Sequence, residues 1–129
     1  MSSESLHAPR ERLSKETLSL HHAIVSLMEE LDAVDWYRQR ADDAEDEALR
    51  EILLHNMREE MEHASMVLEW IRRHNSDFAG HLKTYLFSEG DILAVEEQQT
   101  AREAGAAPRK AAPGHDDPGG FTIGALKGE

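Results

Sequence analysis

Between Arg10 and Ala79 this chain has no proline and no glycine: its four prolines are Pro9, Pro108, Pro113 and Pro118, and its first glycine is Gly80. Nothing in that stretch breaks a helix by backbone chemistry, and Pro9 suits the first turn of one, where a missing N–H costs nothing. A first helix is therefore expected from about Pro9 to Arg40. Its apolar stripe runs through Leu13, Thr17, Leu20, Ile24, Leu27, Leu31 and Val34 at spacings of three and four. The pattern lapses at Ala41-Asp-Asp-Ala44, where Asp42 followed by Glu45 reads as an N-cap with an acidic third position. A second helix should carry Leu49, Ile52, Asn56, Glu60, His63, Val67, Trp70 and Ile71 on one stripe and end near His74-Asn75.

Two helices of about 30 residues, ~45 Å each at ~1.5 Å per residue, are long for a globular domain and usual in a bundle. A third helix is expected over Ser76 to Phe87 with Phe78, Leu82, Tyr85 and Leu86 on its apolar face. Ser88-Glu-Gly-Asp91 then resembles a cap before a fourth, Ile92 to Arg102. The fold class is all-α: an antiparallel two-helix hairpin with short C-terminal helices, residues 1–104 forming one domain. From Gly105 to Gly120 the composition turns to proline, glycine and alanine without apolar periodicity, which reads as a flexible linker (105–120). A compact hydrophobic end follows in 121–129, Phe121-Thr-Ile-Gly-Ala-Leu126.

Composition narrows the function. A formal net charge of −12 argues against nucleic acid and against an anionic membrane surface, and suits cations. Residues 105–129 hold three basic and three acidic side chains, so the helical body carries the whole excess. With no cysteine there are no disulfides, thiolate zinc sites or cysteine nucleophiles, which fits a reducing cytoplasm. Met1 to Lys15 has no apolar core of a signal peptide, and no stretch approaches the ~18 apolar residues of a membrane span. A soluble protein is expected. Its hydrophobic fraction of 40% with only 5% aromatic permits a thin core.

The informative residues are polar ones on the core side. Glu60 and His63 lie between Ile52 and Val67 on the apolar stripe, and their i,i+3 spacing points carboxylate and imidazole the same way. Glu30, three residues after Leu27 and four before Val34, sits along the stripe of the first helix. A buried carboxylate without compensation costs several kcal/mol. A metal ion compensates it, and hard oxygen donors with one imidazole suit iron or manganese. A lone Glu near a stripe usually snorkels to water, and a lone core-facing His is usually just hydrogen-bonded. The joint pattern, an inward Glu on one helix and Glu-x-x-His on the next, is half of the carboxylate di-metal site of ferritin-like bundles.

No second half stands in the chain. Glu4-Ser-Leu-His7 matches in letters but precedes the first helix, and the remaining histidines have Ile52, Leu18, Ser19, Ile71, Phe78 or Ala112 three residues before them. A two-fold dimer would supply the other half and complete a four-helix bundle at once. Weaker candidates surround the motif. Glu29 and Asp32 could stage cations. Tyr37 and His55, seven residues after Glu30 and eight before His63, could hydrogen-bond the site, although packing is the better account of Tyr37. His21-His22 reads as an incidental pair, and Met57, Met61 and Met66 as packing.

The runs Met28-Glu-Glu-Leu-Asp-Ala-Val-Asp-Trp-Tyr37, Glu59-Glu-Met-Glu-His-Ala64, Leu68-Glu-Trp-Ile-Arg-Arg73 and Thr84-Tyr-Leu-Phe-Ser-Glu-Gly90 closely resemble the encapsulated ferritins of bacteria. Phe121-Thr-Ile-Gly-Ala-Leu-Lys127 is similar to the peptide by which that family's members are loaded into an encapsulin shell. The resemblance implies a ferroxidase that oxidises Fe(II) to Fe(III) with O2 at a di-iron centre shared by two subunits. It also implies a ring of five dimers, held in the encapsulin nanocompartment for iron storage. By that likeness Glu30, Glu60 and His63 are iron ligands, Tyr37 and Trp36 lie close to the centre, and Glu29 with Asp32 matches an outer metal-uptake site, Asp32 being one methylene shorter than the glutamate expected there. Two other readings remain beside it: a non-catalytic acidic helical adaptor that binds metal incidentally, and a di-iron peroxidase of the rubrerythrin sort, which the lack of cysteine disfavours.

Overall fold

The structure is a computed structural model that describes residues 5–110, and among these residues it contains helices and no strand. After a short 3-10 turn at Arg10–Arg12 come α1 (Lys15–Asp43), α2 (Glu47–His74), α3 (Ser76–Tyr85) and α4 (Ile92–Lys110). The all-helical expectation holds, and its boundaries shift where capping chemistry decides them. Pro9 precedes only the 3-10 turn. α1 starts at the next good cap, Ser14, whose Oγ accepts from the Thr17 N–H at 3.0 Å. Asp42, expected to begin the second helix, lies in the last turn of α1, which ends as the Ala44 N–H donates to the Arg40 carbonyl at 2.9 Å. Asp46 caps α2 in its place, accepting from the Leu49 N–H at 2.8 Å. α2 also has Glu47 in its first turn and Arg72, Arg73 and His74 in its last, complementing the helix dipole at both ends.

The chain divides into two compact units, residues 1–71 and 72–129. In the first, α1 and most of α2 form an antiparallel hairpin. Its register is set by three contacts along its length. Near the turn, Arg50 Nη1 donates to the Ala41 carbonyl at 3.0 Å. At mid-length Glu30 meets His63, and at the far end Ser19 to Ser26 line one groove with Met66 to Trp70.

The seam between the helices follows a 4-3-4-3-4 spacing on both. It comprises Ala23, Leu27, Glu30, Val34, Tyr37 and Ala41 on α1, and Leu53, Met57, Glu60, Ala64, Val67 and Ile71 on α2, all half-buried or buried. Among the described residues only Ala41, Met57, Ala64 and Ile71 are buried apolar side chains. The stripes expected from periodicity are wider than this seam. Ile24, Leu31, Leu49, Ile52 and Trp70 were placed on the apolar faces, and all remain exposed. Two helices can cover only one stripe each, so a chain with apolar residues over a broader arc leaves the remainder in solvent.

In the second unit, Asn75 caps α3 through the Phe78 N–H at 2.8 Å, and Asp91 caps α4 through the Ala94 N–H at 3.0 Å. α3 stops at Tyr85, two residues short of the expected Phe87, because Phe87 takes a left-handed backbone (φ 63°) that a helix cannot contain. α4 continues past the expected Arg102 to Lys110, into the stretch read as linker. The rest of that stretch and the terminal peptide 121–129 lie outside the described residues.

The cap assignment is testable by mutation. Asp46→Ala should destabilise the protein by about 1 kcal/mol, whereas Asp42→Ala should stay within about 0.5 kcal/mol of the parent. Thermal unfolding followed by circular dichroism distinguishes the two; equal losses would put the start of α2 at Asp42.

Candidate metal centre

Glu30 lies at the middle of α1, and Glu60 and His63 lie one turn apart at the middle of α2. Seam geometry brings them together. The antiparallel register that sets Arg50 against Ala41 and Ser26 beside Met66 brings Glu30 level with Glu60, and His63 overhangs them from the next turn. One potential ligand atom from each of the three lies within 4.8 Å of the others. His63 Nδ1 is 3.1 Å from Glu60 Oε1 and 3.7 Å from Glu30 Oε1. All three are half-buried, and His63 is the most open, with 42% of its side chain exposed.

Two carboxylates placed this close repel each other, and a cation between them relieves the repulsion. The Glu30 carboxyl is pushed above the ordinary carboxylate range, first by its hydrogen bond with Glu60, then by burial and the Glu60 charge. Glu60 is held below that range by the hydrogen bond from Glu30 and by His63. The His63 imidazole is raised, chiefly by its hydrogen bond to Glu60 and also by the charges of Glu30 and Glu59. Two carboxylates and an imidazole converging from two helices fit a divalent or trivalent cation of the iron or manganese type.

Of the other residues singled out from the sequence, none belongs to this cluster. Glu29 and Asp32 are exposed, Glu29 acting on Glu30 only through its charge. Tyr37 is on the seam two turns from Glu30, under the Arg40 guanidinium at 5.6 Å. Trp36 is 51% exposed and borders a shallow depression with Gln39 and Arg40. His55 is exposed. Sequence reasoning passed over Glu59, whose charge acts on His63. It also missed an open apolar groove of about 450 Å³ beside the cluster, lined by Ser19, His22, Ala23, Ser26, Met66, Val67 and Trp70. His22 and Met66 had been read as incidental and as packing; only the paired helices show that they share one wall-lined space.

An all-helical chain with a carboxylate–histidine cluster between two long helices has the hallmarks of the ferritin-like class. The EncFtn-like family matches residues 5–89, and the chain belongs to that family. It is 54% identical over 129 residues to an encapsulated ferritin-like protein of Rhodospirillum rubrum, covering 99% of this chain and 91% of that one. It is 43% identical over 95 residues to a ferritin-like protein of Thermotoga maritima, covering 74% and 83% of the two chains. A crystal structure of a protein from Nitrosomonas europaea shares 50% identity and superposes with a TM-score of 0.66, covering 68% of this chain and 97% of the other.

The proton inventory sets the pH response of the metal-free protein. In an NMR titration His63 should lose its proton at a higher pH than a free histidine, and Glu60→Gln should bring it down. A metal ion must displace the His63 proton. Its affinity should therefore fall as pH drops through the raised His63 pKa, with protons released on binding. Affinity independent of pH across that range would mean that the metal binds elsewhere.

Proposed function

We propose that the chain is one half of a ferroxidase, which takes Fe(II) as its substrate at a di-iron site completed by a second copy. One observation supports this most directly: three potential ligands converge at the middle of the hairpin, half-open, and Trp36, Ile52 and Met66 on the same two helices are also exposed. Iron takes more than three ligands, and a two-fold partner doubles Glu30, Glu60 and His63 while adding the two helices that a four-helix bundle lacks. The carboxylates favour Fe(III) over Fe(II) by charge, and His63 tunes each iron. Two irons give up one electron each, and O2 takes both electrons together with two protons.

The wider assignment follows the same likeness. The match to the Rhodospirillum rubrum protein extends over nearly all of this chain, the segment Phe121–Lys127 included, and that relative is named as encapsulated. We assign 121–127 as the peptide that docks the chain on the inner wall of an encapsulin shell, with the dimers joined in a ring of ten chains and the ferric product passed to the lumen. Tyr37 stands as a neighbouring proton or electron donor, Trp36 and His55 as outer partners, and Glu29 with Asp32 as a staging point for incoming iron.

Loaded anaerobically with Fe(II), the chain should appear in native mass spectrometry as dimers or multiples of them, with two irons per dimer. Glu30→Ala and Glu60→Ala should each slow iron oxidation by about 100-fold or more, beyond the ~10–100-fold expected for losing an outer partner. An oxidation rate unchanged by either substitution would leave the acidic adaptor as the better reading. Faster turnover with peroxide than with O2 would favour the peroxidase.

A further inference from the structure

α4 turns a largely polar face toward α3. The two helices pack on each other, and Val95, Gln98, Gln99 and Arg102 of α4 line a pocket of about 440 Å³ with Lys83 and Thr84 from the end of α3. Their i, i+3, i+4, i+7 spacing puts the four on one face of the helix, where packing ordinarily sets apolar side chains. Only Val95 among them is apolar, and Gln99 beside it is half-buried. Ile92 and Leu93, which could have packed inward, are instead 65% and 67% exposed. The inward face of α4 thus holds amides and a guanidinium, groups that call for hydrogen-bond partners.

Charge in this pocket runs against that of the chain. The sequence carries −12 overall, yet here Lys83 and Arg102 stand against the single carboxylate of Glu89. Among the described residues neither cation is in an ion pair. Arg102 Nη1 donates to Gln99 Oε1 at 3.4 Å, and Gln99 is held in turn by donating Nε2 to Glu103 Oε2 at 3.2 Å. Carbonyls at the end of α3 that would repel an anion are already paired. Gly80 O accepts from Thr84 Oγ1 at 3.1 Å, Leu82 O from the Leu86 N–H at 2.8 Å, and Tyr85 O from Ser88 Oγ at 2.8 Å. Those bonds use the hydroxyl protons of Thr84 and Ser88, so both oxygens line the pocket as acceptors, as Glu89 does.

Cationic donors beside acceptors describe a particular ligand, an oxyanion that also has an O–H. We infer that this pocket binds hydrogen phosphate, with Lys83 and Arg102 on its charged oxygens and Glu89 accepting from its P–OH. Arg102 supplies the planar fork that suits phosphate, and Lys83 a point charge. The volume admits the ion with several waters of its shell, at ~30 Å³ each. Glu89 sets the specificity. Its charge opposes any tetrahedral anion, and only an anion that brings a proton to the carboxylate offsets that cost. Sulfate has no proton at neutral pH, and a phosphate monoester, with a second pKa of about 6, has mostly lost its own. Inorganic phosphate keeps an O–H in both of its neutral-pH forms. The lining residues all belong to the unit 72–129, so the site requires neither the metal cluster nor a second copy.

Calorimetric titration of the metal-free full chain, just above neutral pH and at fixed ionic strength, tests this with sodium phosphate, sodium sulfate and glycerol phosphate in turn. Phosphate should bind at least about tenfold more tightly than the other two. Lys83→Ala combined with Arg102→Ala should abolish phosphate binding, and Arg102→Lys should retain part of it, with circular dichroism confirming the fold of each. Glu89→Gln, whose amide both donates and accepts, should bring sulfate to within about twofold of phosphate. Equal affinity of the parent for all three anions would mean that charge alone holds them, and overturns the inference. Phosphate binding unaltered in the double variant does the same. A monoester that binds more tightly than free phosphate assigns the pocket to a phosphorylated group instead. No saturable binding up to about 10 mM phosphate, a standard free energy weaker than roughly −3 kcal/mol, also overturns it.

Discussion

Two carboxyls facing each other across the middle of a helical seam are the constraint on which the rest of this structure depends. Glu30 and Glu60 occupy positions that hydrophobic side chains fill elsewhere along the same 4-3-4-3-4 pattern. Their contact sets like charges side by side, which a cation relieves, and His63 leans over the pair from the next turn. The hairpin brings these groups close at the expense of its own core. Where Leu or Met could interlock at mid-length, it has a polar gap, and close approach on either side relies on small residues such as Ala23, Ala41 and Ala64.

This expense accounts for the thin interior. With four buried apolar side chains among the described residues, the chain forgoes the ~1.5–3 kcal/mol that each large hydrophobe yields on full burial, at Leu31, Ile52 and others. The negative charge of the body works in the same direction. Glu29 raises Glu30 and Glu59 raises His63, so the metal-free cluster lies in a field that already attracts cations and disfavours full ionisation. A protein built this way is least comfortable alone and empty.

How far the sequence discloses this depends on which force sets each feature. Glu30, Glu60 and His63 were legible because charge on an apolar stripe is rare and the i,i+3 spacing has one geometric meaning in a helix. The long helices were legible because proline and glycine are absent. The α1–α2 turn was misplaced by four residues, since Asp42 and Asp46 are both competent caps and only the register closed by Arg50 on the Ala41 carbonyl chooses between them. The seam was blurred for a different reason. Leu20, Ile24 and Leu31 share a helical period with the true packing positions, and periodicity does not say which of two adjacent apolar stripes meets the same chain. The groove was invisible for a related reason, since its two walls come from residues forty or more positions apart.

In the proposed dimer, metal binding and assembly are one equilibrium. A ligand that binds only the paired state stabilises it by its own binding free energy, and pairing tightens the ligand by the same factor. A half-site with three donors holds a cation weakly in the open, because each carboxylate keeps part of its hydration and His63 remains partly exposed. Closing a second copy over it removes that water and doubles the donors, so the attraction grows as the dielectric around it falls. The charge that makes each copy repel the other would be neutralised by the ion that joins the proposed dimer. On this account the exposed apolar flank is not sufficient to hold two such acidic copies together, and the ligands are not sufficient to hold the metal. Each supplies what the other lacks, which is why the polar gap sits at the centre of the hairpin, where an axis can pass through it, and not at an end.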